Sequence, residues 1–292
     1  MARRMETRSA RILALLLALI MLGSVLAYAV KGGSKSHERD VKFEIGDDFR
    51  SYMRYLPAGV SQAVYMDLNT ENTTLRSYVV NVMERNLDPY FFRSNLIQFT
   101  HGIERMMVAG YPDGVLYFID VNKTKVYFAH DKKEDYMGFT MKVKQGLALT
   151  DEISPVVYGT SGTVARAIEV VAGNASNQMD VAGNYTERLP EGNYNFALVF
   201  FGDAAKNLMK GNETGYIDYY FAGFRMNGSL YEKVVAVHFT TTGAFVKSNV
   251  TAYYNYTNYE DGFSVAVMQD TNFTKILGAQ PEIRVVEIKP AE

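Results

Sequence analysis

The 292-residue chain contains no cysteine, no tryptophan and only four histidines. Without cysteine it can form no disulfide, no thiolate metal site and no lipobox lipid anchor. Three histidines, His101, His130 and His238, lie beyond residue 45, and none stands in the H-x-H or H-x-x-x-H spacing of a metal pair. The composition therefore predicts no metal site and no cofactor, and His238 inside an apolar strand is interpreted as a satisfied histidine.

Motifs of named chemistry are also missing. The glycines form neither a G-x-x-x-x-G-K-[ST] nor a G-x-G-x-x-G pattern, and Ser161 between Gly159 and Gly162 lacks the G-x-S-x-G frame of a nucleophile turn. The net charge is −2, and no basic face for nucleic acid stands out. The sequence thus predicts no catalytic, cofactor-binding or metal residues, and it leaves an enzymatic role open without favouring one.

One long apolar run is present, from Ile12 to Val30, and four arginines precede it. Its 19 residues just reach the length of about 20 that crosses a bilayer as a helix. Two readings stay open: a cleavable signal peptide that ends at Ala29, or an uncleaved signal anchor held by the positive-inside rule. Either way, residues 1–30 are the targeting segment, residues 31–45 are a polar stalk, and the rest faces outward.

Asn-X-Ser/Thr sequons are far more frequent than chance predicts. The chain has 18 Asn and 33 Ser or Thr, so chance would place about two sequons in it. Nine occur, and the asparagines are Asn72, Asn122, Asn174, Asn184, Asn212, Asn227, Asn249, Asn255 and Asn272. Because N-glycans are added outside the cytosol, these residues predict a glycosylated, extracytoplasmic protein, either secreted or anchored at the cell surface. Many sequons without any cysteine fit an archaeal cell-surface protein best.

Three short patterns recur in the same order along the chain. They are Leu56-Pro57-x-Gly59 with Leu189-Pro190-x-Gly192, Ala109-Gly110-Tyr111 with Ala222-Gly223-Phe224, and Gly138-Phe139-Thr140 with Gly262-Phe263-Ser264. This order predicts two divergent copies of one domain, residues 46–173 and residues 188–292, joined by a linker at 174–187.

Periodicity within the copies predicts an α+β fold. Asn72 or Thr73 is expected to cap a helix whose apolar face carries Leu75, Val79, Val82 and Met83. Alternation of apolar and polar residues from Phe139 to Lys144 is typical of a half-buried strand. We expect two repeats of an antiparallel sheet with helices packed on one face, preceded by an N-terminal hydrophobic helix.

These features give the chain a family resemblance. The LPxG-strand-helix opening, the meander of strands and the closing unit Tyr158 to Gly173 (YGTSGTVARAIEVVAG) resemble families of secreted or membrane-anchored prokaryotic proteins built from duplicated α+β domains. The resemblance implies the fold and a place in the cell envelope, and it brings no activity with it.

Two expectations concern the surface. Around Asn249 to Tyr256, side chains of equal parity share a face, so Asn249 and Asn255 should face water while Tyr254 and Tyr256 pack inward. The function expected is a non-enzymatic binding module of the cell envelope, whose partner is an envelope protein or a glycan, with the membrane contacted through residues 12–30 if these are uncleaved. An envelope hydrolase and a structural S-layer-type subunit are the alternatives.

Overall fold

The structure is a computed structural model that describes residues 40–121, 126–182, 185–208, 217–241, 244–246 and 253–285. These residues belong to a compact unit that runs from Arg39 to Glu292. Among them, no helix is long and apolar enough to cross a membrane. The expected hydrophobic helix, residues 12–30, lies outside the described residues.

Eighteen strands lie in the described part of the chain. They are β1 Phe43–Glu44, β2 Gln62–Asp67, β3 Ile97–Phe99, β4 Arg105–Tyr111, β5 Gly114–Asp120, β6 Val126–Phe128, β7 Lys132–Tyr136, β8 Phe139–Lys144, β9 Leu147–Thr150, β10 Ile153–Ser154, β11 Val156–Thr160, β12 Phe196–Phe201, β13 Ile217–Asn227, β14 Leu230–Phe239, β15 Ala244–Val246, β16 Tyr254–Asn258, β17 Phe263–Asp270 and β18 Ile283–Val285.

The described helices are short. They are α1 Phe49–Arg54, α2 Thr73–Asn86, α3 Ser161–Val171, α4 Gln178–Ala182, α5 Gly202–Leu208 and α6 Phe273–Gly278, with a 3₁₀ turn at Tyr185–Arg188. Asn72 caps α2, because its side chain accepts a 2.9 Å hydrogen bond from the Leu75 amide. Asn72 is thus the cap of the two residues expected, and Asn272 caps α6 in the same way.

Twelve of the strands form one sheet in the order β16-β17-β14-β13-β12-β2-β4-β5-β11-β9-β8-β7. Every neighbouring pair in it is antiparallel. The mixed α+β class with an antiparallel sheet is therefore confirmed. Three two-stranded pairs, β1 with β10, β3 with β6 and β15 with β18, lie outside this sheet.

Helices cover both faces of the sheet, so the expectation of helices on one face is wrong. On β2, Ala63 and Tyr65 belong to one core with α1 and α3, which we call the α1/α3 face. Val64 and Met66 point the other way, into a second core with α2, α5 and α6, which we call the α2/α6 face. A strand in a sheet that is covered on both faces needs apolar side chains at odd and at even positions. The run Phe196–Phe201 (FALVFF) has them.

The two halves of the chain meet at the centre of the sheet. β2 and β12 pair antiparallel over five residue pairs, from Phe196 opposite Met66 to Phe200 opposite Gln62. On one side follow β4 and β5, and on the other β13 and β14. The third sequence match, between β8 and β17, does not continue this order. β17 lies directly beside β14, whereas β11 and β9 separate β8 from β5.

The edges of the sheet differ in character. β7 carries the sequence KKEDY, whose charged side chains discourage further pairing. β16 carries YNYTN, which includes the sequon at Asn255. The alternation predicted there holds for the described part of the strand: Asn255 is exposed, whereas Tyr254 and Tyr256 are half-buried against the α2/α6 core. Asn249 lies outside the described residues.

Candidate functional site

An open cleft of about 660 Å³ lies at one end of the central strands. The start of β2, the end of β12, the start of β13 and the turn between β4 and β5 all reach it, and α4 and the 3₁₀ turn form its outer wall. Its lining includes Ser61, Gln178, Tyr185, Asp218 and Tyr219. Residues 174–187, expected as a linker, thus contribute directly to the cleft.

A β-bulge aims Asp218 at this cleft. Tyr219 pairs with His238 and Ile217 pairs with Phe239, so the register of β13 against β14 shifts at Asp218. Tyr219 accordingly packs in the α1/α3 core and Ile217 in the α2/α6 core, although both have odd numbers. Bulges re-aim side chains in this way, and they are frequent beside functional sites.

His238 is held on both ring nitrogens. Nδ1 lies 2.6 Å from Oδ1 of Asp218, and Nε2 lies 3.0 Å from the carbonyl oxygen of Asp261. A carboxylate and a carbonyl only accept hydrogen bonds, so each ring nitrogen of His238 has a hydrogen-bond acceptor beside it. The interpretation of His238 as a satisfied histidine agrees with this geometry.

Tyr185 covers this pair and forms a wall of the cleft. Its ring stacks on His238 with centroids 4.6 Å apart and on Phe263 with centroids 5.3 Å apart. Burial, with the nearby carboxylates of Asp218 and Asp261, raises the pKa of Tyr185. Its phenol therefore keeps its proton at neutral pH and is available as a hydrogen-bond donor.

The other polar groups of the cleft are held by contacts within the chain. Oε1 of Gln178 accepts hydrogen bonds from the amides of Gly59 and Val60, which fixes α4 to the start of β2. Asp203 at the rim pairs with Lys206 at 2.9 Å. The cleft thus offers the hydrogen-bonding groups of Ser61, Gln178 and Asp218 beside the ring of Tyr185. Such a surface suits a neutral ligand rich in hydroxyl groups.

The Asp218 and His238 pair lacks the arrangement of an acid-base catalyst. A histidine that activates a nucleophile needs a free nitrogen directed at that group, and here the second nitrogen faces the Asp261 carbonyl. Within the described ranges no group of three or more His, Asp or Glu side chains is arranged to hold a metal ion. In this geometry His238 presents no free ring nitrogen to the cleft.

Five of the nine sequon asparagines fall within the described residues, and none of the five is buried. Asn174, Asn227, Asn255 and Asn272 are exposed, and Asn72 is half-buried. Asn174 follows the Gly173 that ends α3 with a φ of +74°. Nδ2 of Asn227 donates a 3.0 Å hydrogen bond to Glu232, and Nδ2 of Asn174 donates to the sulfur of Met137 at 3.6 Å. Asn122, Asn184, Asn212 and Asn249 lie outside the described residues.

Two buried charges lie side by side on β14 and face opposite cores. Glu232, which is 2% exposed, accepts hydrogen bonds from Arg225 and Gln269 at 2.6 Å. Burial opposes its ionisation, but the hydrogen bonds of Gln269 and Asn227 and the charge of Arg225 outweigh burial and lower the pKa of Glu232. Lys233, also 2% exposed, donates to the carbonyls of Leu277 and Ala279 at the end of α6. Burial lowers the pKa of Lys233 to about 8.

Sequence reasoning missed Asp218 and Tyr185 as members of a site. No motif marks them, because the bulge that aims Asp218 depends on pairing between two strands. The only signal available was the tyrosine-rich composition of this part of the chain, which is also ordinary for strands.

Comparison with known proteins places the chain in a family. The AF_2048_N family model, described as a family N-terminal domain, matches residues 44–172. A protein of Archaeoglobus fulgidus, described as an uncharacterized protein, is 38% identical over 302 residues, which cover 99% of this chain and 97% of that protein. The chain belongs to the family of this archaeal protein. The matched region ends just after α3, so it contains Ser61 and Pro112 of the cleft lining but not α4 and the 3₁₀ turn of its outer wall.

Solved structures offer only a distant likeness. Crystal form III of TP0453 is 8% identical, with a TM-score of 0.39 over 80% of this chain and 98% of that chain. Crystal form IV is 9% identical, with a TM-score of 0.40 over 80% and 97%. No argument about function follows from similarity at this level.

Proposed function

We propose that the protein is an extracytoplasmic, N-glycosylated protein of the archaeal cell surface that binds a neighbour in the envelope and is not an enzyme. The observation that carries the proposal is the excess of sequons together with their placement, since none of the five described acceptor asparagines is buried. A glycan cannot be folded into a core, so every used sequon must lie at the surface.

Glycosylation forms a bond between Nδ2 of the asparagine and the anomeric carbon of a sugar on a lipid-phosphate donor. The lipid phosphate leaves with the bonding electron pair, and Nδ2 loses one proton. We expect several sites to be occupied, with Asn72 modified least because its Oδ1 also accepts from the Tyr231 hydroxyl and its side chain is half-buried.

The N-terminal segment provides the route to the surface. Residues 12–30 are proposed to direct export and, if they stay uncleaved, to hold the protein in the membrane. The mirrored order of β2, β4, β5 and of β12, β13, β14, with a helix after each opening strand on the same face, supports an origin by duplication.

The cleft is the proposed binding site, and a glycan of the envelope is the proposed ligand. Tyrosine rings stack on the apolar faces of sugars, and Ser61, Gln178 and Asp218 supply hydrogen-bonding groups beside them. The lining contains Asp203 and Asp218 and no lysine or arginine, which argues against an anionic ligand, and the chain's net charge of −2 argues against nucleic acid.

Two measurements test the proposal. Glycopeptide mass spectrometry on native protein from the envelope fraction should find sugars on several of the nine asparagines. Native protein at the 32.8 kDa mass of the unmodified chain, with no glycopeptide, would contradict it.

For the cleft, calorimetric titration with oligosaccharides released from the organism's own envelope glycoproteins should give a measurable affinity. Asp218→Asn should weaken that affinity, because it loosens His238 and with it the wall formed by Tyr185. Asp131→Asn, at an exposed carboxylate away from the cleft, is the matched control and should leave the affinity unchanged. Equal affinities for both variants and the original chain would rule out the cleft.

A further inference from the structure

A second, smaller groove of about 250 Å³ lies at the β16 edge of the α1/α3 face. We call it the edge groove. Asn255 and Thr257 of β16, Val265 and Val267 of β17, and Arg188 and Tyr259 line it. Asn255 and Thr257 are the acceptor and the hydroxyl residue of one sequon, so the groove is built partly from a sequon itself.

The pairing of β16 with β17 explains this arrangement. Asn255 lies directly opposite Val267, and Thr257 lies opposite Val265. Residues in register on antiparallel strands project to the same face, so the sequon and the two valines share one surface. Val265 and Val267 belong to the α1/α3 core or pack against it, and the 3₁₀ turn covers that core at Phe263. The edge groove lies beyond the 3₁₀ turn, where that turn no longer covers the α1/α3 core.

Aromatic side chains flank the sequon. Tyr253 and Tyr259 have the same parity as Asn255 and are 60% and 41% exposed. The Arg188 guanidinium lies 5.5 Å from the centre of the Tyr259 ring. Sugar rings pack their C–H faces on aromatic rings and on aliphatic side chains, and their hydroxyls accept hydrogen bonds from arginine.

We propose that the N-glycan on Asn255 folds back into the edge groove and completes the cover of the α1/α3 face. The inference rests on the proposed glycosylation, and it names the surface that one glycan occupies. Attachment at the wall of the groove makes the contact intramolecular, so the effective concentration of the sugar there is high. A freely diffusing ligand of the same chemistry would have to compete with it.

A matched pair of variants isolates this glycan. Thr257→Val removes the sequon at Asn255 and keeps the asparagine, and Thr274→Val does the same for Asn272, which lines neither the cleft nor the edge groove. Thr257→Ser keeps the sequon and serves as the conservative control. Each full-length protein is produced in the native host and in a host without N-glycosylation, and amide hydrogen exchange is followed by mass spectrometry.

In the native host, Thr257→Val should speed exchange in β16 and β17 by about tenfold, because local opening then loses the sugar contact. Thr274→Val and Thr257→Ser should leave exchange in these strands unchanged. Tyr259→Ser should reproduce the effect with the glycan still attached. In the host without glycosylation, Thr257→Val should exchange like the original chain.

The outcomes separate this inference from the proposed function. If Asn255 carries a glycan and Thr257→Val leaves the exchange of β16 and β17 unchanged, the edge groove is not its docking surface. If other sites are occupied and Asn255 is not, the inference fails and the proposed glycosylation stands. If no site is occupied, both fail.

Discussion

Lys233 makes the stability of the fold depend on pH in an unusual direction. Its ammonium group is 2% exposed and faces two backbone carbonyls, and among the described residues no carboxylate forms an ion pair with it. Burial lowers the pKa of Lys233 from 10.5 to about 8. In the unfolded chain the side chain returns to water and to its ordinary pKa.

The sign follows from proton binding in the two states. Between pH 8 and 10.5 the unfolded chain holds the Lys233 proton and the folded chain has lost it, so the free energy of unfolding rises with pH. The shift corresponds to about 3 kcal/mol in total, of which about 2 kcal/mol is recovered between pH 7 and pH 9.5. From about pH 9 the many buried tyrosines, such as Tyr52 and Tyr65, whose pKa values burial raises, reverse the slope because they ionise first in the unfolded chain.

Urea unfolding at pH 7, 8, 9 and 9.5 measures this directly for the original chain and for Lys233→Met. We expect the free energy of unfolding of the original chain to rise by about 2 kcal/mol relative to that of Lys233→Met over this range, because ionisation of the buried tyrosines in the unfolded state lowers both alike. Lys275→Met, at an exposed lysine of α6, the helix whose end Lys233 contacts, should keep the slope of the original chain. An equal slope in Lys233→Met and the original chain would refute the assignment to Lys233.

Two further substitutions test the network and the cap, both in a host without N-glycosylation. Arg225→Met should lower the free energy of unfolding by about 3–5 kcal/mol, because it leaves Glu232 buried without its ion-pair partner. The double variant Arg225→Met with Glu232→Gln should recover part of that loss in urea unfolding, and a double variant no more stable than the single one would contradict this account. Asn72→Ala should cost about 1 kcal/mol through the lost cap of α2, whereas Asn72→Asp should cost little because a carboxylate caps equally well. Equal losses for both changes at Asn72 would show that capping is not the cause.

Local signals in the sequence predicted local structure well. The Asn72 cap, the inward face of α2 with Leu75 and Val79, and the alternating strand around Met141 all depend on neighbours within a few residues. The coverage of the sheet was mistaken, although the run FALVFF at Phe196–Phe201 already placed apolar residues at both parities.

The candidate site could not be predicted from the sequence, because it depends on contacts between segments that are distant in the chain. Asp218 faces His238 because β13 and β14 slip by one residue, and that slip is a property of the pair of strands. Tyr185 reaches the site because Gln178 ties α4 to the start of β2, a contact across more than one hundred residues. Neither the bulge at Asp218 nor the placement of Tyr185 produces a characteristic residue spacing in the sequence.

The pairing of β2 with β12 has a consequence for a fragment that contains only the family N-terminal domain. Residues 44–172 contain β2 but not β12, so a fragment with these limits would present the free backbone groups of Gln62–Asp67 to solvent. An open strand of this kind is a template for pairing, and two copies of the fragment placed antiparallel would offer each other what β12 provides in the whole chain. The matched region is thus a sequence unit in which β2 lacks its neighbour, because β12 comes from the half of the protein that follows.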